Sequence, residues 1–230
     1  MLGIIGAMDI EVAKIKDQLQ NAKVTKRAGM EFYSGVWHDR DVTVVRSGIG
    51  KVNAGICTQI LVDLFHADAI INTGIAGSLK NEINIGDIVL SVDALQHDVD
   101  AQGFGYAPGV IPQMKESVFQ ADKKLIELAK KCCQRVCPDI NTFAGRVVSG
   151  DQFISDKGKK EQLIRDFQGF CTEMEGAAIA QAAYLNQIPF LIIRAISDKA
   201  DDSATMDYPA FEAMAVENSV RLLSAMVESM

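Results

Sequence analysis

Three carboxylates, Glu11, Glu175 and Asp198, stand where acid–base chemistry is most readily built in this sequence. Glu11 lies one helical turn past an apolar opening run, residues 2–6. Glu175 follows the short run 171–174 and opens an alanine-rich stretch. Asp198 follows an apolar run ending Arg194-Ala195-Ile196. Singly, each has an ordinary structural use. Glu11 and Glu175 suit the first turn of a helix, whose dipole favours negative charge, and Asp198 suits an N-cap. Jointly they point to chemistry, because all three fall at ends of core elements beside glycine-bearing segments. Carboxyls sharing a half-buried cleft can be driven to different pKa values, one serving as acid and one as base. Arg194 offers a cation for one of them or for an anionic species. The glycine segments can bring backbone N–H groups close to a polar ligand. Gly3-x-x-Gly6 is not the dinucleotide fingerprint, and no Walker A loop is present.

The elements that must hold these residues alternate between strands and helices. Strands are predicted over residues 2–6, 36–37 and 42–46 (with 38–41 as the turn), 69–72, 87–92, 142–149, 171–174 and 189–196. Helices are predicted over about 10–19, 52–65, 122–133, 157–167, 176–184 and 208–226. Residues 48–51 and 73–77 read as glycine loops. Residues 98–113 read as a long aperiodic loop, of the kind that tends to be functional in a compact domain. The run 189–196 is continuously apolar and so is expected to be buried on both faces. This pattern predicts a single domain spanning residues 1–230, a three-layer α/β/α sandwich around one sheet. Ligands in such folds sit at the carboxyl ends of the strands. The segments Gly6-Ala7-Met8, Ser47 to Gly50, Thr73 to Gly77, Ser149 to Phe153 and Ser197-Asp198 all fall there.

Composition narrows the function classes. The 230 residues are 48% hydrophobic, enough for one large core, and carry a net charge of −7. Nucleic-acid binding would need a basic face, so no nucleic-acid partner is expected. The opening MLGIIGAMDIEV is interrupted by Asp9 and Glu11, unlike a secretory signal. No run reaches the ~20 apolar residues of a membrane span. The expected home is the cytoplasm, with no membrane partner. Five cysteines without a signal argue against a disulfide framework. The spacing of Cys132, Cys133 and Cys137 is not that of a zinc site, so no metal and no cofactor is expected.

The segments Gly3 to Met8, Ser47 to Val52, Ser149 to Ile154, Glu173 to Gly176 and Arg194 to Asp198, with His97 to Asp100 followed by Phe104-Gly105-Tyr106, occur in one order along the chain. In that order and spacing the sequence resembles the 5′-methylthioadenosine/S-adenosylhomocysteine nucleosidases, from residue 1 to about residue 228. The resemblance implies a mixed sheet of the nucleoside-phosphorylase type. It implies hydrolysis of the N-glycosidic bond of the two adenine nucleosides, releasing adenine, within methionine salvage and removal of the methyl-cycle product. Asp198 would protonate N7 of adenine, and Ser197 would position it. Glu11 would activate the attacking water, with Arg194 nearby. Glu175 would hold the ribose hydroxyls, Met174 would pack against the sugar, and Glu173 would complete the substrate-binding motif. Phe153 would stack on adenine, and the backbone of Ile154 would read its edge. Met8, Ile49 and Tyr208 would form the apolar pocket for the 5′-thioalkyl group. Phe104 would reach the site of a second subunit, implying a homodimer. Ile75 departs from many members, which carry serine there beside the water and ribose.

Two readings rival this one, the first from the same superfamily and the second from another class. A purine nucleoside phosphorylase of related fold would admit phosphate, which Glu11 would repel. A non-catalytic nucleoside-binding protein would not need all three acids. Hydrolysis of aminodeoxyfutalosine is a further activity within the hydrolase class.

Overall fold

A computed structural model gives the fold, describing the backbone of residues 1–230 and the side chains of all but residues 205–210. The chain runs β1 (Leu2–Gly6), α1 (Asp9–Lys16), β2 (Gln20–Arg27), β3 (Met30–Trp37), β4 (Arg40–Arg46), α2 (Lys51–Phe65), β5 (Ala69–Ser78), β6 (Ile88–Gln96), β7 (Phe119–Gln120), α3 (Lys123–Val136), β8 (Thr142–Ser149), α4 (Lys157–Phe167), β9 (Cys171–Glu173), α5 (Gly176–Leu185), β10 (Phe190–Asp198) and α6 (Ala204–Ser229).

All the strands join one mixed sheet. β1 lies parallel between β4 and β5, and β5 is also parallel to β10. β1 and β10 are buried along their whole length, which is why they read as largely apolar runs with little alternation. β6 pairs antiparallel with β10 and parallel with β8, β8 pairs with β9, and β9 returns to the end of β5 through Gly77–Thr172 and Ser78–Cys171. The five strands β5, β10, β6, β8 and β9 therefore close on themselves, while β1, β4, β3 and β2 extend as an open wing.

The helices form two layers. The small residues of α5 (Ala177, Ala180 and Ala183, all buried) let it pack closely against α2. α6 packs against α1 and α3. α3 buries Leu125, Ile126, Ala129, Cys132 and Cys133, a helical stripe, and Asp122 caps it by accepting the N–H groups of Lys124 and Leu125. All five cysteines are buried and free, and burial pushes the Cys133 thiol up to about 11, so it is a poor thiolate.

Three predictions of local structure change. The expected glycine loop 73–77 is instead strand. β5 continues to Ser78 because its backbone pairs first with β10 and then with β9, a long-range pairing that local glycine content conceals. β2 escaped the sequence reading because its run QNAKVTKR is polar and exposed, an edge strand with charged side chains. Asp198 ends β10 and does not cap a helix, since α6 begins only at Ala204.

Candidate active site

Glu11 occupies the third position of α1, and its carboxylate turns back over the chain entering that helix. Oε2 accepts the N–H groups of Ala7 at 2.6 Å and Met8 at 2.9 Å, while Oε1 accepts that of Ile75 at 3.2 Å. The first two bonds cap the helix and the third ties it to β5. Gly74 makes the approach possible: a Cβ there would lie 2.5 Å from Glu11 Oε1 and 2.8 Å from Arg194 Nη1. Burial raises Glu11 above the ordinary carboxylate range, with Arg194 and the three backbone donors restraining the rise. A buried carboxylate of raised pKa is a better proton acceptor than a surface one.

Arg194 sits on β10 and is buried. Its guanidinium ion-pairs with Glu173, Nε at 3.2 Å, and Nη2 donates to Asn72 Oδ1 at 2.5 Å. Burial opposes its charge, yet Glu173 first, then Glu11 and Glu175, hold it protonated. Burial would raise Glu173, but Arg194 overrides it and keeps this carboxylate below the ordinary range. Glu173 also accepts the hydroxyl of Ser149 and the N–H of Gly176 at 2.8 Å, the latter at the start of α5. Arg194 thus bonds Glu173, which is not one of the three carboxylates the sequence offered it, and Glu11 is a neighbour across Gly74.

Glu175 precedes α5 and accepts the N–H of Gly50 at 2.8 Å. Gly50 has φ +98°, a conformation that side chains rarely adopt, and this turns its N–H toward the carboxylate. Burial and then the charge of Glu173 push Glu175 up to about 8. With one guanidinium among three clustered glutamates, Glu173 takes the charge and Glu175 keeps its proton near neutral pH.

Asp198 lies at the carboxyl end of β10. Ser197 Oγ donates to its Oδ2 at 2.9 Å, and the N–H of Ala200 donates to its Oδ1 at 2.8 Å. Gly77 gives it room, since a Cβ there would stand 2.7 Å from Oδ1.

These groups surround a cavity of about 360 Å³. Its walls carry Glu11, Glu173, Glu175 and Asp198, together with Met8, Ile49, Phe153, Met174 and Ser197. Every wall segment lies at or just after the carboxyl end of a strand, as expected of this class. Ile154 lines a smaller recess beside it, with Phe153 and Asp198. Phe153 and Ile49 are half exposed at 50% and 53%, so they form the mouth. None of the described lining residues is lysine, arginine or histidine. Arg194 lies behind the wall. Phe104 is 88% exposed and lines no described part of its own chain's cavity. The side chain of Tyr208 lies outside the described residues.

The sequence gives no individual role to Asn72 or Ser149, and it marks Gly74 and Gly77 only as part of a glycine loop. Asn72 carried a signal, a polar side chain inside the apolar run of β5. Its amide donates to Ile5 O at 3.0 Å and accepts from Arg194, joining β1, β5 and β10. The two glycines stand out in the sequence, but not what they make room for, because Glu11, Arg194 and Asp198 come to them from α1 and β10.

The family profile described as "Phosphorylase superfamily" matches residues 1–228. The chain is 41% identical, over 231 residues and 100% of both sequences, to a 5′-methylthioadenosine/S-adenosylhomocysteine nucleosidase of Staphylococcus aureus. It superposes with a TM-score of 0.95 and 36% identity on the Neisseria meningitidis enzyme of that name in complex with methylthio-immucillin-A, covering 100% of this chain and 99% of that one. It also superposes, with a TM-score of 0.94 and 32% identity, on a futalosine hydrolase of Helicobacter pylori, covering 100% and 97%. With likeness of sequence and fold over its whole length, and four acids converging on one cavity at its strand ends, this chain belongs to the phosphorylase superfamily and, within it, to the 5′-methylthioadenosine/S-adenosylhomocysteine nucleosidases.

Proposed function

We infer that this chain hydrolyses the N-glycosidic bond of 5′-methylthioadenosine and S-adenosylhomocysteine, with water as nucleophile. One observation carries the choice of water over phosphate: among the described residues the cavity wall holds four acids and no cation, and the buried guanidinium of Arg194 behind it is engaged by Glu173. A phosphate charge about 4 Å from a carboxylate meets roughly 4 kcal/mol of repulsion at an effective dielectric near 20. A neutral water meets none, and it gains a base.

In this reading the C1′–N9 bond breaks with its electron pair passing to the adenine ring, and Asp198 delivers a proton to N7. Water attacks C1′ as Glu11 takes its proton. Positive charge building on the ribose is stabilised by the carboxylates of Glu11 and Glu173 in the wall. Glu175 accepts hydrogen bonds from the ribose hydroxyls, which would replace the N–H of Gly50. Met174 packs on the sugar, Phe153 stacks on adenine, and the backbone of Ile154 reads the adenine edge. Met8 and Ile49 line the 5′-thioalkyl end, joined in the family pattern by Tyr208. The active unit is a homodimer in which Phe104 completes the neighbour's site. Its exposed ring supports this, as does the apolar line Ile49, Val52 and Ile56 at the start of α2, all exposed.

The test is product identity. Turnover of 5′-methylthioadenosine in excess inorganic phosphate should yield adenine and free 5-methylthioribose by mass spectrometry. A sugar 1-phosphate, or a rate rising in proportion to phosphate, overturns the hydrolase reading. Adenine release from 5′-methylthioadenosine, S-adenosylhomocysteine and aminodeoxyfutalosine, run in parallel, ranks the substrates.

A further inference from the structure

Lys160 belongs to no wall of the cavity, yet it is buried, with 7% of its surface exposed. It lies on the face of α4 that also buries Leu163 and Phe167. Lysine is almost never buried without a partner, and an apolar side chain would suit this face better. Its ammonium donates to the backbone carbonyl of Lys199 at 2.5 Å and to Asp201 Oδ2 at 3.3 Å. Both acceptors flank a single residue, Ala200.

Ala200 is held in an uncommon conformation. Its φ is +51°, a left-handed geometry disfavoured for a residue with a Cβ. Such a residue persists only where its surroundings over-determine it. Its methyl is buried in the small core that α4 covers, with Leu163, Phe167 and Ile154. A Cβ on Gly77 would lie 2.8 Å from that methyl, so the turn is pressed against β5 from the other side. The left-handed turn is what aims the Ala200 N–H at Asp198 Oδ1, 2.8 Å away. The side chain of Lys199 points elsewhere and donates to Ile83 O at 2.5 Å, so it does not hold Ala200 itself.

We propose that Lys160 is a positioning residue for Asp198, locking the turn 199–201 by bonds on either side of Ala200 so that the turn's N–H fixes the carboxyl aimed at the leaving base. This rests on the reading of Asp198 as the acid. Without the ammonium, Ala200 relaxes toward ordinary φ, its N–H leaves Oδ1, and the carboxyl loses one of its constraints. A proton donor must sit within hydrogen-bond reach of its target, so a displacement of under an ångström is felt in the rate.

The test is a double-mutant cycle on the full chain with 5′-methylthioadenosine, kcat and KM read separately. Lys160→Met should lower kcat on the order of tenfold with KM changed by less than about twofold, since it touches no substrate. Asp198→Asn should lower kcat by at least ~10²-fold. The double variant should be no slower than Asp198→Asn alone, because a residue acting only through the acid has nothing left to act on. Should Lys160→Met fail to fold by circular dichroism, Lys160→Gln, uncharged and hydrogen-bonding, takes its place with the same expectation. If Asp198→Asn keeps normal turnover, the reading of the acid fails and the proposal falls with it. If Asp198→Asn is impaired while the Lys160 variant keeps parental kcat, or the two losses multiply, Lys160 is not positioning Asp198 and the acid assignment stands.

Discussion

Gly74→Ala should cripple the water-activating base without touching a charged residue. In the parent, Gly74 lies between the Glu11 carboxylate and the Arg194 guanidinium, and a Cβ there would stand 2.5 Å from Glu11 Oε1 and 2.8 Å from Arg194 Nη1. Ordinary contact begins at 3.4 Å, so the carboxylate must retreat by about 0.9 Å. Arg194 is pinned by Glu173 and Asn72, which leaves Glu11 as the group that moves. Its bond from the Ile75 N–H, already 3.2 Å, is the first to break. A lost hydrogen bond to a buried charge costs roughly 1.5–3 kcal/mol, which at roughly 2–4 °C per kcal/mol for a domain of this size is about 3–12 °C in Tm. A displacement near 1 Å at a reacting group can cost ~10²-fold in rate. Adenine release measured with saturating 5′-methylthioadenosine should therefore fall by ~10²-fold in kcat, with a smaller change in KM, because Glu11 acts on water. Gly145→Ala is the control. Its Cβ would meet the Phe170 ring at 2.1 Å, away from the cavity, so it should lower Tm while leaving kcat per folded molecule intact. A folded Gly74→Ala enzyme with kcat within roughly threefold of the parent would refute the assignment of Glu11 as base.

Two further outcomes follow from the same geometry. Glu175, raised from an ordinary 4.5 to about 8, binds its proton more tightly folded than unfolded. Its contribution to stability is therefore present below pH 4.5 and lost as pH rises toward 8. Tm of the ligand-free protein should carry that decline, Glu175→Gln should flatten it, and an unchanged Tm profile in the variant would remove the shift. For the dimer, light scattering should give twice 25.0 kDa. Mixing Phe104→Ala with Asp198→Asn subunits should recover activity that neither has alone, since one site per mixed dimer then holds both residues. A fully active monomer, or no recovery on exchange, counts against the shared site.

Much of this protein is written locally. Continuous apolar runs marked β1 and β10 as buried strands, and the apolar stripe of α3 marked an amphipathic helix. The residue types at strand ends marked the acids, since Glu11, Glu175 and Asp198 gain proximity only if a sheet gathers their segments. The order of the motifs fixed the family before any coordinate. What remained was decided by partners far apart in the chain. The 73–77 segment is strand because β10 and β9 pair with it, and glycine there serves neighbouring strands and α1, not a turn. Arg194 bonds Glu173 in preference to Glu11 because β9, paired with β5 and β8, brings the Glu173 carboxylate within hydrogen-bond reach of the guanidinium. Which carboxylate keeps its proton depends on who shares one buried guanidinium, and that is a matter of distance and burial. In the sequence Lys160 is merely the last of three lysines in the polar run 157–160. Only the packing of α4 on the turn after Asp198 buries it and gives its charge something to hold.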